Sequence, residues 1–356
     1  MGYIIENRKP EKMNILYKTI FSKLKPTEFF NQKLLLAFLV SLLGLTACQR
    51  VEEPPFFISK QCASIPVGRA SAAIFVIDST AYVLAGRSES GNTGRLNDFW
   101  MYDAHVDSWV DLGTLPFAAR VKPIAEVVNG KAYTGLGFDG VLYDDTGYFR
   151  DFWMYDPQTE EWARKADFPV ARTAAASSFV HKQFIYVLYG TFETTLTNDI
   201  YRYDTELDKW EFMGAAKLPL RSAAVAVAYG DRFFSGTGYR LRSLSDWYEF
   251  FPASNRWEKR KPIPGKGRLF SSAVAGKKVI YVFGGRNFAG TETGELFHET
   301  IYSYVVDSNH WNVVGNIPGG GRENMISFSI GNSIYFGLGE NKDGEILNDL
   351  YRWEEY

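Results

Sequence analysis

From residue 66 to the C-terminus the chain repeats one pattern about fifty residues long, six times over. Five tryptophans mark the frame, Trp109, Trp162, Trp210, Trp257 and Trp311, at spacings of 53, 48, 47 and 54. A proline follows each (Pro116, Pro169, Pro219, Pro264, Pro318), and an arginine follows each proline: Arg120, Arg172, Arg221, Arg268 and Arg322. Pro66 and Arg69 open the first unit. A unit of this size cannot bury its apolar face alone and must stack on its neighbours, so the period constrains the fold more than any composition does.

Within a unit the residues read as four short strands. The first is crowded with small side chains, as in Ser71-Ala72-Ala73, Thr173-Ala174-Ala175-Ala176, Ser222-Ala223-Ala224 and Ser271-Ser272-Ala273, which suits strands converging on a narrow axis. The second is β-branched and aromatic and ends in glycine, at Gly86, Gly137, Gly190, Gly238, Gly285 and Gly339. The third alternates with period two, as in Phe99-Trp100-Met101-Tyr102-Asp103, and the fourth carries the tryptophan. No stretch reads as a long amphipathic helix, and many short strands at regular spacing specify an all-β protein.

Glycine, spaced aromatics and tryptophan together resemble the kelch repeat over residues 66–356. The first glycine of that family's pair is present only at Gly284 and is replaced by Ala85, Leu136, Tyr189, Thr237 and Leu338. The fifth unit also lacks the Asn-Asp found at Asn97-Asp98, Asn198-Asp199 and Asn348-Asp349. The last unit stops at Tyr356 after its third strand. The stretch Phe56-Phe57-Ile58-Ser59 to Ile65-Pro66 reads as the missing fourth strand, with Phe57 in the aromatic slot. The expected fold is therefore an all-β six-bladed kelch β-propeller over residues 56–356, closed by its N-terminal strand and left without free sheet edges.

Residues 1–55 differ in character. Lys33 precedes fourteen largely apolar residues, Leu34 to Ala47, and then Cys48, too short a run to span a bilayer comfortably and matching a signal-peptide core. Leu45-Thr46-Ala47-Cys48 resembles a bacterial lipobox, which implies a signal peptide over 1–47, lipidation of Cys48, a tether over 48–55 and a place at the cell envelope on the outer membrane, facing the periplasm or the surface. The long charged stretch before it leaves Met1 and Met13 both open as the start of translation. Seven of the 39 basic and three of the 41 acidic residues lie in 1–47, so 32 basic and 38 acidic residues remain, a net −6. No basic block survives, which excludes a nucleic-acid partner. With Cys48 lipidated, Cys62 is the only thiol left, and no intramolecular disulfide can form.

In a four-stranded meander the proline–arginine segments and the segments after each glycine share one face. Arg69, Arg120, Arg172, Arg221, Arg268 and Arg322 are thus expected around one mouth of the channel, joined by Arg87 and Arg286 and, nearby, Phe138, Asp139, Tyr239, Arg240 and Glu340. Guanidiniums bind carboxylates bidentately, so such a mouth suits a protein or an acidic glycan. An arginine present in all six units also fits a purely architectural role. Arg87, Arg286 and Arg240 are not so repeated and are the better binding candidates.

The histidines His105, His181, His298 and His310 fall in different units without ligand spacing and read as surface turn residues, so no metal site is expected. The copper chemistry of galactose oxidase, another kelch propeller, needs a histidine pair and a cysteine-linked tyrosine that this sequence does not offer. Gly319-Gly320-Gly321-Arg322 lacks the lysine–serine of a phosphate loop and reads as an inter-blade linker. No cofactor is implied. Two functions fit: a monomeric, lipid-anchored binding module, or an enzyme. Periplasmic sialic acid epimerases are six-bladed kelch proteins with signal peptides; that resemblance implies arginines holding a sugar carboxylate beside a proton-transfer group, for which Glu340 and Glu126 are candidates. The long insertion associated with that family is absent here.

Overall fold

The computed structural model describes residues 59–355 apart from residue 92 and the segments 140–146, 171–173, 193–194 and 289–294. The signal peptide, tether, Cys48, Phe57 and Arg172 of the sequence reading lie outside the described residues. Six four-stranded antiparallel sheets are formed. Blade 1 comprises Ala73–Ile77, Thr80–Leu84, Asp98–Asp103 and Ser108–Thr114. Blade 2 comprises Ile124–Val128, Lys131–Gly135, Phe152–Asp156 and Glu161–Lys165. Blade 3 begins at Ser177–His181, blade 4 at Val225–Tyr229, blade 5 at Ser272–Ala275 and blade 6 at Ile326–Ile330.

The first strand of every blade packs on the first strands of the blades to either side, from 73–77 through 124–128 and round to 326–330, so the six enclose an axis. The sixth sheet is completed by Lys60–Cys62, paired antiparallel with Leu350–Arg352. The ring is closed by the N-terminal strand, as the sequence implies, with the strand at 60–62.

Adjacent blades grip one another through a repeated clasp. The residue after an outermost strand donates its N–H to an Asp or Asn in the next blade's last turn and accepts from that blade's tryptophan. Ala166 does so with Asp208 and Trp210, and Lys261 with Asn309 and Trp311. Ala63, just past the closing strand, makes the same two bonds to Asp107 and Trp109, both at 2.8 Å. Between blades the core is aromatic: Phe99 meets Tyr155 edge-on at 5.0 Å and Phe152 meets Tyr203 at 4.9 Å. Such contacts add to apolar burial.

The closing glycine is required by space as well as by backbone at Gly86, Gly137, Gly238, Gly285 and Gly339. Gly86 has φ +93°, and a Cβ there would lie 2.7 Å from the Ala70 carbonyl oxygen. At the preceding position the left-handed conformation persists although glycine does not, with φ between 56° and 62° at Ala85, Leu136, Tyr189, Thr237, Gly284 and Leu338. The turn is imposed by the blade, and five of six units tolerate a side chain in it.

The five repeated arginines among the described residues lie buried beneath the mouth rather than around it. Arg69 forms a two-pronged pair with Asp98, Arg120 with Asp151 and Arg221 with Asp246, all at 2.7–2.8 Å. Arg322 meets Asp349 at 2.6 Å. These four guanidiniums, with Arg268, are at most 1 % exposed, and each also donates to the carbonyl sixteen residues on, locking the left-handed turn. Blade 5 has Thr300 at the aspartate position, so Arg268 lacks a carboxylate among the described residues. It faces the Tyr302 ring at 5.1 Å instead, and burial lowers its pKa to about 10.

Candidate functional site

The segment following each arginine pairs with the segment following each glycine in all six blades, as at Ala70–Arg87, Val121–Phe138, Leu269–Arg286 and Glu323–Glu340. The expectation that these two sets share a face is met. One residue further inward the backbone turns left-handed again, at Ser71, Lys122, Ala175, Ala223, Phe270 and Asn324 (φ 53–57°). Their amides form a belt around the axis: Lys122 donates to Ser71, Ser71 to Asn324, Asn324 to Phe270, Phe270 to Ala223 and Ala223 to Ala175, at 2.9–3.1 Å. Three of the six belt residues are small, as the sequence suggests. Lys122, Phe270 and Asn324 are not, and they break the symmetry of the hub.

Above the belt, on the side of blades 5, 6, 1 and 2, lies an axial cavity of about 530 Å³, within the range of small-ligand sites. Arg87 and Arg286 enter it from the two blades flanking blade 6, which contributes Glu323 and Glu340. Arg87 pairs with Glu340, which also accepts from the Ser90 hydroxyl at 2.5 Å. Arg286 approaches Glu323 at 3.2 Å and Glu295 at 3.5 Å. The Arg286–Glu323 contact lacks hydrogen-bond geometry, leaving Arg286 Nε and Glu323 Oε2 as buried polar atoms without a hydrogen bond.

Lys122 is the residue the sequence reading missed. It stands where the other blades place Ser71, Ala175, Ala223, Phe270 and Asn324, and its ammonium lies 3.5 Å from the centre of the Phe270 ring. Its stem is half-buried because it faces the cavity, yet protein surrounds it. Burial lowers its pKa to about 7, and Arg87 and Arg286 push the same way against the pull of Glu323. Burial also raises the Glu323 carboxyl, with Glu340 acting in the same direction and Arg286 and Lys122 opposing. The signal in the sequence is a lysine at a position held elsewhere by Ser, Ala, Phe or Asn, visible once the units are aligned on their arginines.

Other expected residues are placed elsewhere. Arg69, Arg120, Arg221, Arg268 and Arg322 do not line the cavity, because their guanidiniums are turned inward and 0–1 % exposed; this corrects the expectation of an open arginine ring. Tyr239 and Arg240 sit in a small hairpin of blade 4, with Tyr239 against Phe288 at 5.7 Å, and neither reaches the cavity. Phe138 lines it. His298 is buried rather than at a surface turn; its Nε2 lies 3.2 Å from the Gly267 carbonyl, and burial, then Arg268, lowers its pKa to about 4.

Glu126 lies on an innermost strand among Ile74, Val76, Val180 and Val274, in a separate apolar recess of about 370 Å³. It cannot act beside Arg87. It is held by the Ser178 hydroxyl at 2.7 Å, and burial raises its pKa from an ordinary 4.5 to about 7. A carboxyl raised on folding adds stability at pH below its unfolded value and loses it as pH climbs towards 7. Glu126→Gln is therefore expected to be more stable than wild type by about 1–3 kcal/mol at pH 8, with the gain vanishing by pH 4. Urea unfolding at the two pH values measures it.

Residues 57–234 match the model of the KLHDC2/KLHL20/DRC7 kelch-repeats domain, and residues 267–318 match the kelch motif. Kelch-like protein 23 of Mus musculus is 26 % identical over 72 % of this chain and 44 % of its own length, so the chain spans less than half of that relative. N-acetylneuraminate epimerase 1 of Escherichia coli O6:H1 is 24 % identical over 80 % of this chain and 76 % of its own length. The solved structure of YjhT superposes with a TM-score of 0.70 at 17 % identity, covering 81 % of this chain and 95 % of that one. Kelch repeats, six closed blades and an axial cavity converge: the chain belongs to the kelch-repeat family and is a six-bladed β-propeller.

Proposed function

We propose that this kelch propeller is a binding module whose axial cavity receives a small carboxylate-bearing ligand, such as a sugar acid at the end of a glycan or an acidic side chain of a protein partner. The observation that carries the reading is the placement of Arg87, Arg286 and Lys122 on one cavity. Guanidiniums on rigid β-structure bind a carboxylate with little reorganisation. The cavity also holds Glu323 and Glu340, so it selects ligands that carry hydroxyls or amides beside the acid. The apolar run before Cys48 supports a lipid-anchored, extracytoplasmic placement, with the propeller acting as a monomer.

A second reading, a sugar-acid epimerase, draws on two features. A relative bears the name N-acetylneuraminate epimerase, and Lys122 and Glu323 are an amine and a carboxyl whose pKa values the cavity moves towards neutrality. Opposed titratable groups of that kind suit proton transfer. Glu340 reaches the cavity but is committed to Arg87 and Ser90.

Thermal-shift titration with N-acetylneuraminate, glucuronate and uncharged glucose separates acid recognition from general sugar binding. Saturable stabilisation by an acid and none by glucose is expected. Arg286→Ala should weaken that ligand at least about tenfold while leaving the melting temperature of the free protein within a few degrees. No shift with any acid at millimolar concentration overturns the reading. Conversion of one anomer of a bound sugar acid to the other, followed by NMR, decides between module and epimerase.

A further inference from the structure

Resting on the acid-binding reading of the cavity, we propose that Lys122 is a nucleophilic amine and that the cavity takes 2-oxo acids, ligands in which a ketone adjoins the carboxylate, and forms a reversible imine with them. Four observations lead there. Lys122 lines the cavity and makes no ion pair among the described residues. Its nitrogen is positioned over the face of Phe270, a contact that supplies no proton acceptor and whose attraction for a cation burial has to outweigh. Its backbone is held in the left-handed conformation by the hub belt, so the stem is aimed by the fold and not by chance packing. The guanidiniums of Arg87 and Arg286, which share the cavity, disfavour a further cation, against the pull of Glu323 and Glu340. A desolvated lysine beside other cations is the arrangement that frees an amine lone pair near neutral pH.

The same guanidiniums would orient the ligand. A carboxylate drawn to Arg286 and Arg87 places the adjoining carbonyl carbon over the floor of the cavity, where Lys122 stands. The Nζ lone pair attacks that carbon, forming the C–N bond as the carbonyl π pair moves to oxygen. A proton passes from nitrogen to that oxygen, giving the carbinolamine. Glu323, whose carboxyl is kept protonated more readily than usual by burial, donates a proton to the hydroxyl. The C–O bond breaks, water leaves, and the nitrogen lone pair completes the iminium. One water is released, no oxidant or reductant is consumed, and Glu323 remains as the carboxylate opposite the new cation. Hydration of the iminium reverses each step. Glu340, Glu295 and Asp343 are the other acids on the cavity; the first two already face arginines and Asp343 pairs with Lys342.

The test uses the folded protein with pyruvate as probe and cyanoborohydride as trap, at pH 7.5. The expected result is a single 1-carboxyethyl adduct by intact mass, mapped to Lys122 and formed at least about tenfold faster than on any other lysine. Acetone, which has the ketone without the carboxylate, should label weakly, and acetate should protect. Lys122→Arg keeps the positive charge but removes the primary amine and should abolish the adduct at this position. Lys122→Met provides a second variant without the amine. Stabilisation by pyruvate with no adduct at Lys122, or adducts spread over surface lysines, overturns the imine and leaves acid binding standing. Absence of both stabilisation and adduct overturns the two readings together.

Discussion

A chain beginning at Val67 is expected to melt at least about 10 °C below one beginning at Lys60, or to lose cooperative unfolding altogether. Seven residues would matter so much because they hold a blade and a seam at once. Ile65 is completely buried and Cys62 nearly so, within a cluster shared by blades 6 and 1 that includes Tyr102, Tyr335 and Leu350. Losing Ile65 alone removes about 2–3 kcal/mol of apolar burial. Trp109 Nε1 and Asp107 lose their partners at Ala63, and a semi-buried donor left unbonded costs about 1–3 kcal/mol. The strand Leu350–Glu354 then becomes a free sheet edge, open to pairing with other chains. Differential scanning calorimetry with light scattering measures both consequences. A shift below about 2 °C would mean that the sixth blade holds without its outer strand.

Asp151→Ala is expected to cost about 3–5 kcal/mol, more than most single substitutions in a protein of this size. Removing the carboxylate strands Arg120, 1 % exposed, with no counter-charge, and deprives the Trp153 indole of its acceptor at 2.7 Å. Burial alone would raise the Asp151 carboxyl, but hydrogen bonds and charge from Arg120 hold it below the ordinary carboxylate range. Its contribution is therefore present above the unfolded pKa and disappears as pH falls through the folded one. Denaturant titration should show the wild-type advantage over the variant at pH 7 shrinking in acid. An advantage independent of pH would assign the effect to packing. Replacing Arg120 and Asp151 together by Met and Leu should recover much of the loss, because a buried pair is worth less than the penalty of half of one.

Blade 5 shows how the repeat absorbs such a loss. Thr300 occupies the aspartate position, and the Tyr302 ring and the Gly284 carbonyl are what Arg268 keeps. The missing Asn-Asp is visible in the sequence, but its consequence, a buried guanidinium of lowered pKa, depends on contacts from segments more than thirty residues apart. The reverse holds for the six arginines. Their recurrence suggested either a binding ring or architecture, and the choice fell to architecture at Arg69, Arg120, Arg221 and Arg322 because each has an aspartate 25–31 residues on with the reach to pair. Arg87 and Arg286, singled out because they do not recur, do meet at the cavity; Arg240, chosen on the same ground, lies in a hairpin of blade 4 and does not line it.

What the sequence determined by itself was the unit, its number and its closure. Those features follow from local chemistry: a glycine where a Cβ would strike a carbonyl, alternating aromatics, and a tryptophan with a clasp partner one unit away. Only the tertiary structure decided what stands at the hub. Six equivalent positions, each about fifty residues from the next, come together there within hydrogen-bond distance, so Lys122, Phe270 and Asn324 become neighbours although nothing in their local sequence relates them. The lowered pKa of Lys122 comes from that convergence, through burial first and then through the opposing charges of Glu323 and of guanidiniums from two other blades, and no reading of a single repeat contains it.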